Sequence, residues 1–285
     1  MSARIKFLPV EIATLCYIGL TACYLAFFAH RLDAPHIHFG VRILVVAAIT
    51  GLARLDTVKH LQMITWIRSF LPFALLSYWY PETYYFNDFI FPNLDQYFIA
   101  ADQFLFGCQP SLEFCRLMPQ AWFSELMYFG YFSYYFIFFG TALWCFIKQK
   151  ELAGKAVFIF TCSFYLYYFV FAVLPVVGPQ FYYQAPLNEV PDGYFFCDLM
   201  RFLQDTGEKP TGAFPSSHVG ITFTVVIFIF QHCRHLLKYV LPLFIILVLS
   251  TVYIKAHYVI DVIGGFVSVV VTYPLVNYFY RKIAP

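Results

Sequence analysis

Long apolar blocks separated by short polar breaks dominate this chain. A helix that spans a bilayer needs about 20 mostly apolar residues, and blocks of that kind fall at eight places: roughly 8–29, 39–55, 61–80, 124–147, 156–177, 217–231, 237–254 and 257–280. The second is short and holds Arg42, and the sixth is short as well. The pattern therefore predicts an all-α, polytopic transmembrane helical bundle of about eight spans. The first block follows Arg4 and Lys6, as a signal peptide would, but it is longer than the apolar core of such a peptide and carries Glu11 near its start. It reads as a retained span.

Two long connections remain, about 81–123 and 178–216. Threading eight spans with both termini in the cytoplasm puts Arg4, Lys6, Arg54, Lys59, Lys148, Lys150, Lys155, Arg234, Lys238, Arg281 and Lys282 inside. Arg31, Arg116, Arg201, Lys209 and Lys255 fall outside, and eleven against five agrees with the positive-inside rule. Both long connections then lie on the extracytoplasmic side, periplasmic or lumenal. They are rich in aromatics and Pro, which predicts ordered covers over a site. No internal repeat or linker is visible, so the chain reads as one domain, 1–285, with additional spans over 1–80 and the region carrying the chemistry over 81–285.

Composition fixes the class. Hydrophobic residues make up 61% of the chain and charged ones only 12%, against about 25% charged in soluble domains, and the mean hydropathy is +0.69. A net charge of +2 without a basic stripe excludes nucleic acid as a partner. The eight Cys are scattered without zinc-like spacing. Cys16, Cys23, Cys145 and Cys162 sit in apolar runs as small apolar residues. Cys108, Cys115 and Cys197 lie in loops, where Cys108 and Cys115 could pair in an oxidising compartment or stay free.

Two polar stretches stand at the mouths of spans. In STVYIKAHYVIDVIGG, 250–265, His257 and Asp261 are four residues apart and share a helix face. Asp can accept a hydrogen bond from one imidazole nitrogen and leave the other free and basic, which prepares a nucleophile. The alternative is a buried polar pair that ties two helices together. In GAFPSSHVG, 212–220, Pro215, Ser216 and Ser217 read as the start of a helix with a Ser N-cap. Free N–H groups and the dipole there suit a phosphate, and His218 follows within reach of an oxygen leaving it. The alternative for that stretch is an ordinary helix cap.

Together these motifs resemble the type 2 phosphatidic acid phosphatase (PAP2) superfamily, in which a PSxH-type motif is followed, one membrane hairpin later, by Ser-Arg, five residues, His, three residues and Asp. Ser250, His257 and Asp261 keep that spacing, with Tyr258 and Gly265 fitting around them, and LPVVGPQFYY, 174–183, is a looser match. The resemblance implies a six-helix core, a metal-independent enzyme and a phosphohistidine on His257 held by Asp261. His218 would protonate the departing oxygen and then act as base for the acceptor. Two departures matter: Thr251 and Gln180 stand where the superfamily has phosphate-binding Arg. STxYxxxHYxxD, GAFPSxH and DQFLFGCQP, 102–110, are similar instead to the inositol phosphorylceramide synthase branch.

The expected reaction is thus transfer of a phosphorylated head group, inositol phosphate type, from a phospholipid donor to a ceramide-type lipid alcohol. A phosphatase acting on a lipid phosphomonoester or pyrophosphate, with water as acceptor, is the alternative. Ser216, Ser217, Gln180 and Lys255 are the expected phosphate or substrate contacts. Lys255, one helical turn after Thr251, either replaces part of the lost charge or snorkels to the interface. The aromatic stretches WYPETYYFNDFIF, 79–91, and FYYQ, 181–184, could form an apolar cover that excludes water, or serve as interface aromatics.

Two His and an Asp could also hold zinc. A transporter would explain the spans but not polar residues converging on one side. His30, His36, His38, His60, His232 and His235 are not assigned to catalysis. Arg42 and Arg68, in apolar runs, are expected either to pair with loop carboxylates or to reach lipid phosphates. The sequence leaves the oligomeric state open.

Overall fold

The computed structural model describes residues 5–59 and 61–284, so Arg4 of the charge tally and His60 lie outside the described residues. These residues form helices α1 Pro9–Phe27, α2 Pro35–Lys59, α3 Gln62–Glu82, α4 Asp95–Phe106, α5 Pro110–Leu117, α6 Ala121–Lys148, α7 Lys150–Val173, α8 Pro179–Tyr182, α9 Phe195–Gly207, α10 Ser217–His232, α11 Leu237–Tyr253 and α12 Val259–Ile283. No strand occurs among the described residues. Each of the eight expected blocks is a helix. Six of these segments, α1, α2, α6, α7, Arg234–Tyr253 and α12, are long and apolar enough to cross a membrane.

The other two blocks fall outside that set: α10 has only 16 residues, and the 21 residues of α3 include Arg68, Ser69, Ser77 and Glu82. The chain is a multi-pass helical membrane protein. Segment α2 is longer than expected because Arg42, which argues against a span when unpaired, is closed inside the bundle. Its guanidinium donates to Glu82 of α3 at 2.7 and 3.0 Å and to Thr21 of α1, and His38 meets the same carboxylate at 2.7 Å. Arg68 is closed in the same way by Glu11 and Asp56. Both arginines therefore pair with carboxylates of the chain and do not reach for lipid.

Helix α7 is the central post, touching α1, α3, α6, α10 and α12. Tyr165 on α7 stacks on Tyr17 of α1 at 4.3 Å, and Tyr17 meets Trp79 of α3 edge-on. This packing locks the N-terminal helices to the rest of the bundle through aromatic surface. The two long connections are ordered and helical: α4 and α5 lie in the first, α8 and α9 in the second. Glu125 accepts from the N–H groups of Tyr194, Phe196 and Cys197, which caps the start of α9 and fixes it against α6.

Cys108 and Cys115 do not pair. Cys108 is exposed beyond the end of α4, whereas Cys115 is buried with its thiol on the Leu112 and Glu189 carbonyls, and the eight cysteines are all free thiols. The aromatic stretch 79–91 also behaves differently from a cover. Phe86 and Phe89 pack with Leu25 and Leu32 at the N-terminal helices, leaving Tyr80 as the member that reaches the polar end of the bundle.

Candidate active site

The helices α10 and α12 begin side by side. Ser216 accepts from the Val219 N–H at 3.4 Å and caps α10, while its own N–H donates to the Asp261 carbonyl at 3.0 Å. Gly265 makes this approach possible: a Cβ there would stand 2.8 Å from the Ser216 carbonyl oxygen and 3.2 Å from Val219 Cβ. The two motifs, forty residues apart in sequence, are thus joined through backbone atoms.

The structure brings His218, His257 and Asp261 together. His257 Nε2 lies 3.3 Å from His218 Nδ1, and His257 Nδ1 faces Asp261 Oδ2 at 3.6 Å. That second separation is too long for a hydrogen bond. Asp261 Oδ2 instead accepts from the Tyr258 N–H at 2.9 Å, and His257 Nδ1 and Asp261 Oδ1 are buried without a partner. The orientation is the one expected, with one imidazole nitrogen toward the carboxylate and the other toward the second His. Burial pushes the His257 imidazole down to about 4, opposed by the nearby Glu208 carboxylate, so the ring is neutral near pH 7 and its Nε2 lone pair is available.

His218 is sandwiched by aromatics of α6. The rings of Tyr131 and Tyr134 each lie with centroids 4.5 Å from the imidazole. Tyr134 continues into the wall of an apolar cavity of about 580 Å³, lined also by Tyr80, Tyr135, Phe138, Ser217 and His218. The aromatic surface beside the site thus comes from α3, which includes Tyr80, and from α6 and α7. FYYQ contributes Phe181 to a different, polar cavity.

Three carboxylates that the sequence reading did not single out build the site. Asp102, fully buried on α4, accepts from the N–H groups of Val259 and Ile260 at 2.9 Å each, capping the start of α12. Burial raises its carboxyl against the lowering effect of those two donors. Asp95, two turns earlier on the same face of α4, accepts from the Val177 and Gly178 N–H groups and from the Tyr258 hydroxyl at 2.8 to 2.9 Å. Asp102 opens the DQFLFGCQP stretch, so the signal was on the page, but its task is visible only once α4 is laid against α12.

Glu208 is the third. Burial raises its carboxyl, which accepts from the Gln180 amide at 2.6 Å and the Tyr131 hydroxyl at 3.2 Å. Gln204 donates in turn to the Gln180 side-chain oxygen at 3.0 Å. Gln180 is placed by its own N–H on the Lys255 carbonyl at 2.8 Å. The turn before it needs Gly178, at φ +87, where a Cβ would come 2.7 Å from the Ala256 carbonyl. Glu208 lines both the apolar cavity and a polar one of about 1160 Å³ that also exposes Gln180, Asn188, Arg201 and Gln204.

Lys255 does neither of the things expected of it. It is 1% exposed, with its ammonium on the carbonyls of Leu187 and Glu189, where burial lowers its pKa. A buried ammonium needs acceptors, and these two carbonyls use it to hold the 187–189 loop in place of a phosphate or the interface. Thr251 bonds back to the Val248 carbonyl at 2.8 Å. The arginines of the polar cavity are paired, Arg201 with Asp192 and Arg116 with Glu113. Among the described residues, no group of three or more His, Cys, Asp or Glu side chains is arranged to hold a metal ion.

A family model described as the PAP2 superfamily matches residues 96–275, a span that begins in α4 and ends in α12. No curated protein and no solved structure matches the chain.

Proposed function

Because the chain belongs to the PAP2 superfamily of membrane phosphatases and phosphotransferases, we propose that it is a lipid phosphotransferase that moves an inositol phosphate type head group from a phospholipid to a ceramide-type alcohol. The observation that carries this reading is the meeting of the two cavities at Glu208. One is polar, faced with amides, carboxylates and two paired arginines; the other is aromatic and opens on His218. An amphiphile with a polyhydroxylated head and an apolar body fits such a pair.

In the proposed mechanism, His257 Nε2 attacks phosphorus in line, forming an N–P bond as the bond to the glycerol oxygen breaks. His218, held as the imidazolium by the phosphate anion beside it, gives its proton to that departing oxygen. The acceptor hydroxyl then loses its proton to His218 as its oxygen attacks phosphorus, the N–P bond breaks and free His257 returns. Asp261 steadies the charge that His257 carries between the two steps. The two rings touch through Nε2 and Nδ1, the atoms these steps use, so phosphorus enters between them. With the Ser216 and Val219 N–H groups already bonded, the capped start of α10 offers the phosphate oxygens the N–H groups of Ser217 and His218.

Gln180 and Thr251 in place of two Arg suit a phosphodiester, which carries less negative charge on phosphorus than a monoester. Metal-independent chemistry is part of the proposal, as is a site on the extracytoplasmic side with both termini cytoplasmic.

The test is to supply purified protein in mild detergent with phosphatidylinositol, with and without ceramide, and to follow phosphorus among lipid and soluble products. Head group on ceramide, lost in His257→Ala and unaffected by a chelator, supports the transferase. Inorganic phosphate released from phosphatidic acid, indifferent to ceramide, supports the second reading, a lipid phosphate phosphatase.

A further inference from the structure

At the end of the bundle away from the histidine pair, three helices close on a further cavity of about 460 Å³, largely apolar in its walls, into which three bases reach. Lys155 enters it from the second turn of α7, His232 from the last turn of α10 and Arg281 from the last turns of α12, with Asn277 and Tyr278 beside them. Helices α10 and α12 are the two that begin at the site. His232 lies 14 residues beyond His218 and Arg281 lies 20 beyond Asp261, so at 1.5 Å per residue the cavity is about 21 to 30 Å from the chemistry.

The charges here are not balanced. No carboxylate lines the cavity among the described residues, and neither Lys155 nor Arg281 makes an ion pair there. The Lys155 ammonium has one partner, His232 Nε2 at 3.0 Å, which leaves donors free. A basic residue in a final helical turn is favoured by the helix dipole, which accounts for His232 and Arg281. Lys155 has no such account, because it stands near the start of α7, where the dipole repels a cation. Glu151 of the first turn is exposed and does not line the cavity. Half-burying Lys155 beside two other bases raises the energy of the empty cavity, and an anion offsets it.

We infer that this cavity binds a phosphate-bearing anion, held by Lys155 and Arg281 with His232 donating once the ammonium turns to the ligand. The place at the end of membrane-spanning helices suits a lipid phosphate head group; free phosphate has the same chemistry. Because α10 and α12 reach from this cavity to the histidine pair, its occupant also steadies the ends of the helices that carry the site.

The experiment counts bound lipid by native mass spectrometry on His257→Ala protein, which does not turn the probe over, offered phosphatidylinositol 4-phosphate or phosphatidylcholine in detergent. Lys155→Gln and Arg281→Gln are each expected to weaken binding of the phosphomonoester lipid about tenfold, the value of one charge-assisted hydrogen bond. Lys155→Arg is expected to keep it, and so are Arg234→Gln and Lys282→Gln, which remove neighbouring charge outside the cavity. Competition by millimolar inorganic phosphate at the same variants would identify the free anion as the occupant; no competition would identify the lipid. Equal loss in the cavity and control variants, or no loss in either, would overturn the inference.

Discussion

Two sets of buried polar residues divide this molecule. In the N-terminal helices, Glu82 is shared by Arg42, His38 and Tyr78, and Glu11 and Asp56 share Arg68. Each charge there has a partner of opposite sign. At the mouth of α10 and α12, His257 Nδ1 and Asp261 Oδ1 lack partners, the two imidazoles find their side-chain hydrogen bond in each other, and Glu208 sits half-buried between two cavities. Buried polar groups are nearly always satisfied, and a cluster that is not has work to do on something that binds. A closed network costs a great deal to break and contributes no chemistry; an open one is tolerated because neighbours built to hold it, here Asp95, Asp102 and Glu125, are themselves satisfied.

The sharpest break in the comparison is His257→Ala. It should lower turnover by about 10⁴-fold or more while shifting the melting temperature little, measured by phosphorus transfer and thermal unfolding in the same detergent. Glu82→Ala should do the reverse. It strands the buried Arg42 guanidinium and should cost about 3–5 kcal/mol, read by denaturant unfolding, with specific activity of the remaining folded protein unchanged. If Glu82→Ala abolishes activity without unfolding, the division is wrong.

Asp102→Asn falls between the two. It weakens the cap on α12 and lets His257 drift, so kcat should fall about 10- to 100-fold with KM nearly constant, since small misplacements of a reacting group cost that much. A KM effect alone would instead place Asp102 in substrate binding. The pH profile sharpens the same point: with the His257 pKa lowered to about 4, the neutral, nucleophilic ring persists as pH falls through 6.5. The acid limb of kcat/KM should lie near 4. A limb at 6.5 would mean an exposed imidazole. The smallest effect should come from Gln180→Arg, which restores a cation beside Glu208. Hydrolysis of phosphatidic acid relative to head-group transfer should rise by less than about tenfold, measured as the ratio of inorganic phosphate to lipid product.

Much of the site could be read before any coordinates. The spacing of Ser250, His257 and Asp261 and the Pro-Ser-Ser-His stretch gave the residues that meet, because helical phase and a capped helix start are local properties of sequence. Lys255 shows where that reasoning stops. Its position relative to Thr251 suggested the phosphate, but helix α11 has ended by then, Lys255 takes φ +63, and its side chain turns to carbonyls of a loop 66 and 68 residues away. Glu208 was missed for the same reason: no motif surrounds it, and its partners Gln180 and Tyr131 come from α8 and α6, 28 and 77 residues away.

By itself, the sequence determined that the chain is a helical membrane protein with two polar motifs at the mouths of its spans, because apolar blocks of bilayer length and local helix signals need no distant partner. The tertiary structure alone decided which carboxylate answers which cation, that Asp102 caps α12, and that a polar and an apolar cavity share Glu208. Those depend on which side chains become neighbours across the bundle, and a buried charge is directed by the partner it finds there, wherever that partner stands in the chain.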